Sequence, residues 1–168
     1  MPYNKSCSLW PNHDEHFFRE RDIQPQRQAP KNCVSTVLAM LTGQPPEMFQ
    51  DHVNTQDPVS WSSALRPYGL RLAYCPTDVR RLCFYLPELV ALDDLFTLSY
   101  YSPTDGATIL QDPDTNDWVC SSHIVVLHRS EILDPAKGEG LDARSHPCGD
   151  HHTKRIFRLV PAEHERGL

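Results

Sequence analysis

Three residues far apart in the chain have the types that thiol chemistry needs: Cys33, His123 and Asp134. A cysteine nucleophile requires a base within hydrogen-bond reach, and that base is commonly oriented by a third polar group. Cys33 falls in the first turn of an expected helix, where the helix dipole and unpaired N–H groups favour an anion. A thiolate is stabilised there, and the thiolate is the nucleophilic form. His123 opens a β-branched run, so its ring is expected at a sheet edge, facing a cleft. Asp134 belongs to the next strand, ten residues separating the two. A hairpin would fold it back beside His123, and strands paired about 4.8 Å apart let a carboxylate hold an imidazole. Taken singly, each residue has a plainer reading: an inert buried cysteine, a satisfied core histidine, a turn residue before Pro135. Their ordered combination points to a Cys–His–Asp triad.

The elements that must position them follow from pattern. Val34, Val37, Leu38 and Leu41 recur at i, i+3, i+4 and i+7 and predict a core-facing helix from Cys33 to Thr42. Asn32 is placed to cap its start and Gly43 to end it. Further helices are expected from Pro45 to Phe49, from a Ser60 cap to Gly69, and from Thr77 to Leu82, ending before Pro87. The segment His16–Glu20 could form a short helix. Leu70–Tyr74, Leu95–Tyr101, His123–His128, Glu131–Asp134 and Arg155–Val160 read as strands. Arg129-Ser130 is a tight connection, Pro103–Gly106 a turn and 136–152 a loop. Helices first and an antiparallel sheet afterwards predict an α+β fold, with the Cys33 helix packed on a C-terminal sheet. Residues 1–23 are expected to be an N-terminal arm, and 24–168 a single domain.

Composition narrows the function classes. The chain has 168 residues and a net charge of −6, and no basic run exceeds two residues outside 151–155. Nucleic acid is therefore not expected as the main partner. No apolar run approaches the roughly 20 residues needed to span a bilayer. The first residues lack the apolar core of a signal peptide, so a cytoplasmic protein is expected. Its six cysteines lack a dense regular spacing and are expected to be reduced thiols rather than disulfides.

Pro30-Lys31-Asn32-Cys33, the run Val37–Gly43, then His123–Leu127 and Ile132–Pro135 together resemble the papain-like cysteine peptidases. The nearest branch is that of the bacteriocin-leader-processing peptidase domains and their bacterial and phage relatives. The resemblance implies a papain-like fold and a peptide or protein substrate, with no cofactor. It implies Cys33 as nucleophile, His123 as base and Asp134 as the acid that orients it. It further implies a glutamine about six residues before the cysteine that donates to the oxyanion. That position is Arg27, flanked by Gln26 and Gln28, so one of these two glutamines would serve. The residue after the cysteine is Val34, where many members of the family have Gly.

Two other chemistries compete. Cys120 and His123 have the two-residue spacing of a zinc pair, and His146, Cys148, His151 and His152 offer further ligands. No Cys–x2–Cys knuckle accompanies them, so His151 and His152 are read as a solvated loop. Asp112, Asp114 and Asp117 echo a calcium loop, but Pro113 and the missing Gly and Glu weaken it. His128 has the opposite strand parity from His123 and is read as structural. Arg80-Arg81 reads as a solvated helix face, and Asp93-Asp94 as loop or cap residues. Trp61 and Tyr68 could line a substrate groove or pack in the core. The alternative to an enzyme is a binding protein on the same fold that recognises another protein without turning it over.

Overall fold

The computed structural model describes residues 8–29, 32–104 and 122–168. Helices are α1 (Cys33–Thr42), α2 (Pro58–Leu65) and α3 (Leu86–Leu92). Strands are β1 (Leu70–Cys75), β2 (Leu95–Tyr101), β3 (Ser122–His128), β4 (Glu131–Asp134), β5 (Glu139–Asp142) and β6 (Thr153–Pro161). The strands form one antiparallel sheet in the order β1-β6-β2-β3-β4-β5. The protein is therefore α+β, built on a six-stranded sheet with a core on each face.

Side-chain alternation along β2, β3 and β6 divides the two cores. Leu95, Ile124, Val126, Phe157 and Leu159 face α1 and α2. Phe96, Leu98, Val125, Leu127 and Ile156 face α3 and the N-terminal segment. Leu9 and Trp10 of that segment are buried in the second core and Ile23 in the first, so residues 8–29 cross the molecule without forming a helix or strand. His16–Glu20 accordingly makes turns. No helix among the described residues is long and apolar enough to cross a membrane.

Several local expectations are overturned. The helix expected over 77–82 is absent. Residues 78–81 turn and bridge to His152, a short 3-10 turn covers Leu82–Phe84, and the α-helix begins at Leu86. Pro87 occupies its first turn, where the missing N–H costs no helical bond, so it starts this helix and does not stop it. Arg80 and Arg81 thus lie on a loop; Arg81 donates to the Asp150 carbonyl at 3.3 Å. The α2 cap is Asp57, which accepts from the Val59 N–H at 3.0 Å; Ser60 lies inside the helix and bonds Asn54 and Asp57 carbonyls. A 3-10 turn carries the chain on from α2 to Gly69, whose φ of +83° reverses it into β1. The 136–152 loop contains β5 and a 3-10 turn at Pro147–Asp150.

Asp94 departs furthest from its expected loop role. It is fully buried and pairs with the equally buried Arg158 through Nη2 and Oδ2 at 2.6 Å. Asp94 also accepts the N–H groups of Phe17 and Phe18, and Arg158 donates to the Glu15 carbonyl. The guanidinium carbon lies 4.7 Å from the Trp10 ring centroid and 4.8 Å from that of Phe17. An aromatic face supplies electrostatic attraction that water would otherwise supply. This pair thus ties the N-terminal segment to β6 and to the start of β2. Removing one partner of a buried pair leaves an uncompensated charge, so Asp94→Asn is expected to cost about 3–5 kcal/mol of stability in urea unfolding. A loss below about 1 kcal/mol would mean the pair behaves as an exposed one.

Candidate active site

α1 begins at the sheet end where β3 and β4 part. Its residues from Val34 to Thr42 are all buried, and it ends at Gly43, whose φ is +72° and whose N–H bonds Ala39. Asn32 does not cap it with its side chain. Its φ/ψ of −108°/35° lies outside the extended region from which a cap side chain reaches back, and its carbonyl takes Thr36 instead. The N–H groups of the first turn are therefore not consumed by Asn32. Cys33 sits at this end, partly buried.

His123 arrives from the second residue of β3. The β3–β4 ladder runs only from His128–Glu131 to Val126–Leu133, closed by the two-residue turn Arg129-Ser130. Residues 122–125 are consequently free of β4 pairing, and Cys33 and His123 line one cleft beside them. On the ring's other side Nε2 lies 2.8 Å from Asp134 Oδ1. With Nε2 taken by the carboxylate, Nδ1 is left to meet the thiol. Cys33, His123 and Asp134 are thus brought together, the first two on one cleft and the last two through a hydrogen bond. Burial disfavours charge on His123, but the Asp134 carboxylate and the neighbouring Cys33 outweigh it and push the imidazole up to about 9.

Asp134 is held from several sides. Oδ1 also accepts the Ala136 N–H at 2.9 Å, and Oδ2 lies 2.8 Å from His146 Nε2. Burial alone would raise the carboxyl, but the two histidines and the Ala136 N–H hold it far below the usual range. His146 is a site residue that sequence reasoning considered only as a metal ligand. It is buried, and its Nδ1 accepts the Cys148 N–H at 3.0 Å. The ring proton is therefore on Nε2, aimed at Asp134. The only sequence signal was His-Pro ahead of a turn, which says nothing about a partner twelve residues upstream.

The two glutamines part company. Gln26 Nε2 reaches the Gln44 carbonyl at 3.5 Å, beyond the far end of α1 and about 15 Å of helix away from Cys33. The Gln28 N–H instead donates to the Pro135 carbonyl at 2.7 Å, directly after Asp134, and its side-chain Oε1 is buried with no hydrogen-bond partner among the described residues. Gly138 makes this crossing possible. Its φ is +68°, and a Cβ there would lie 2.8 Å from Arg27 Cβ. The exposed Arg27 thus rests on the Gly138 backbone, and Gln28 is the glutamine beside the acid's turn.

The remaining predicted residues fall as follows. The edge of Tyr100 meets His123 with ring centroids 5.7 Å apart, and its hydroxyl is pushed up by burial and by Asp134. Trp61 is buried beneath the Cys33 cleft and donates to the Asn54 carbonyl, whereas Tyr68 packs on Phe49. His128 bonds the Arg19 carbonyl on the other face of the sheet. His151 and His152 are half-buried, not solvated, because their rings bond the carbonyls of Tyr101 and Val79. Cys120, Asp112, Asp114 and Asp117 lie outside the described residues, and among the described residues no three potential ligands converge on a metal position. The four described cysteines are free; burial pushes the thiols of Cys75 and Cys148 up to about 12.

The cleft at Cys33 encloses only about 30 Å³, between Val34, Trp61 and Ile124 below and Ser122 and Arg155 at the rim. A larger cavity of about 750 Å³ lies behind His146, against α3, and includes neither Cys33 nor His123. No family model, curated protein or solved structure matches the chain.

A raised imidazole has a defined signature. Charge on His123 adds to stability below its ordinary value of 6.5, and that contribution is lost as pH rises through about 9. NMR titration of the ring is expected to give an inflection near 9, moved down by Asp134→Asn, which removes the carboxylate partner. A midpoint at the ordinary value, unmoved by that variant, would contradict the His123–Asp134 bond.

Proposed function

We propose that the protein is a papain-like cysteine peptidase or a related thiol acyl-transfer enzyme acting on a peptide or protein. The observation that carries this reading is the placement of Cys33 at a helix start on the same cleft as His123, whose ring is hydrogen-bonded to Asp134 at 2.8 Å. Nucleophile, proton carrier and orienting acid stand in the order that thiol chemistry requires, and each comes from a different element.

In this mechanism the Cys33 thiol passes its proton to His123 and its sulfur attacks the carbonyl carbon of an amide. A C–S bond forms as the carbonyl π pair moves onto oxygen. The donors assigned to that oxygen are the Cys33 N–H, which has no partner within its helix by position, and the Gln28 side-chain amide. Collapse of the tetrahedral species breaks the C–N bond, and the departing amine takes the proton held by His123. A water then gives a proton to His123 and attacks the thioester, and the C–S bond breaks as the sulfur takes that proton back and the thiol is restored. An amine in place of water makes the same sequence a transfer. Asp134, fixed by His146 and Ala136, holds the imidazole in orientation throughout.

The dimensions of the cleft favour a chain over a small molecule. Pockets that swallow a small ligand usually enclose about 300–1,000 Å³. Some 30 Å³ at Cys33 suits a carbonyl group dipping from a segment laid across the surface.

Alkylation by iodoacetamide at neutral pH, read by mass spectrometry at each cysteine, tests the reading. Cys33 is expected to react well ahead of Cys75 and Cys148, whose thiols are buried and pushed up to about 12. It is also expected to outpace the exposed Cys83. His123→Ala should slow Cys33 by about tenfold or more, the low side of what a positioned base contributes. Equal rates at Cys33 and Cys83, indifferent to His123→Ala, would sink the nucleophile assignment.

A further inference from the structure

The rim of the Cys33 cleft carries a charge pattern that the proposed chemistry leaves unused. The β2–β6 pairing slips between Ser99 and Tyr100: Ser99 faces Arg155 while Tyr100 faces Thr153, so Lys154 is one extra residue on β6. In an unbroken strand, consecutive side chains point to opposite faces. A bulge interrupts the alternation and re-aims a side chain. Here both Lys154 and Arg155 line the same cleft as Cys33 and His123. Lys154 is braced by the Ser122 hydroxyl at 3.2 Å and lies 5.9 Å from the Tyr101 ring centroid. Arg155 is half-buried and has no ion pair among the described residues. No Asp or Glu stands among the described residues lining the cleft, in a chain whose net charge is −6. Two cations thus border the cleft where a substrate would meet the thiol.

We propose that Lys154 and Arg155 form an anion subsite beside Cys33, selecting substrates that carry a carboxylate next to the attacked carbonyl. The carboxylate is an Asp or Glu side chain or the free end of a peptide. The proposal rests on Cys33 being the nucleophile. Cations on the cleft of the reacting sulfur attract a carboxylate-bearing reagent and leave a neutral one of the same shape indifferent. Arg155 is the better anchor, since its fork can take a carboxylate in two parallel bonds, and Lys154 adds a point charge.

Iodoacetate and iodoacetamide differ by one carboxylate and alkylate the same sulfur, so their rate ratio at Cys33 reads the subsite without a known substrate. Relative to the ratio at Cys83 in the same sample, Cys33 is expected to favour iodoacetate by about threefold to tenfold per cation. Arg155→Gln and Lys154→Gln should each lower that preference. In the unmodified protein 0.5 M salt should compress it, with no dependence on how the variants fold, because the Debye length falls to about 4 Å. Bromoacetyl-glycine against its amide, and bromoacetyl-glutamate amide against bromoacetyl-glutamine amide, then tell a free chain end from a side chain. The same ratio at Cys33 and Cys83, unaltered by salt or by either variant, would overturn the subsite while leaving the nucleophile intact. A Cys33 inert to both reagents would overturn the nucleophile assignment, and the subsite with it.

Discussion

The carboxylate of Asp134 is the point on which the candidate site depends. One oxygen takes the His123 ring and the Ala136 N–H, and the other takes His146. Those bonds join β3, the end of β4 and the turn before the Pro147–Asp150 segment. A buried carboxylate is costly unless its lone pairs are filled, and these are filled by donors from three parts of the chain. The turn that follows Asp134 also receives the segment leading to α1, through Gln28 on Pro135 and Arg27 on Gly138. The same carboxylate therefore orients the imidazole and anchors the turn on which the approach to Cys33 rests.

A second buried charge plays the corresponding part at the other end of the sheet. Asp94 and Arg158 are shut away from water, with three aromatic rings around the guanidinium. Asp94 stands directly before β2, and its carbonyl also receives the Arg129 N–H at the β3–β4 turn. The N-terminal segment is thus pinned to the hairpin whose far end carries His123 and Asp134. Neither pair serves chemistry by being stable alone; each fixes where strands begin and end, and the site is made of strand ends.

The position of the site follows from unfinished pairing. β4 pairs with β3 no further than Val126, three residues short of His123, and β6 carries a bulge where it passes Ser99 and Tyr100. The first irregularity admits the helix start with its thiol, and the second turns Lys154 toward that thiol. A sheet with perfect ladders would have closed both openings.

Much of this was legible in the sequence. The 3.6-residue stripe of α1, the β-branched run of β3 and the short run to Asp134 are local patterns. Local patterns suffice where an element buries one consistent face, so Leu95–Tyr101 and Glu131–Asp134 fall where expected. His123 and Asp134 needed only a hairpin to become neighbours, whereas Cys33 joins them by the packing of α1 against the sheet. What the sequence could not decide was every partnership made across the fold. Pro87 is compatible with ending one helix or starting another, and only packing against the sheet selects the second. Asp94 reads as a loop residue until Arg158 faces it, and His146 as a loose ligand until Asp134 does. Gln26 and Gln28 are equivalent in composition and nearly so in position, and the close crossing over Gly138 separates them. The residue types determined what chemistry was available; the tertiary structure decided which groups meet, because hydrogen bonds between distant segments leave no periodicity in the chain.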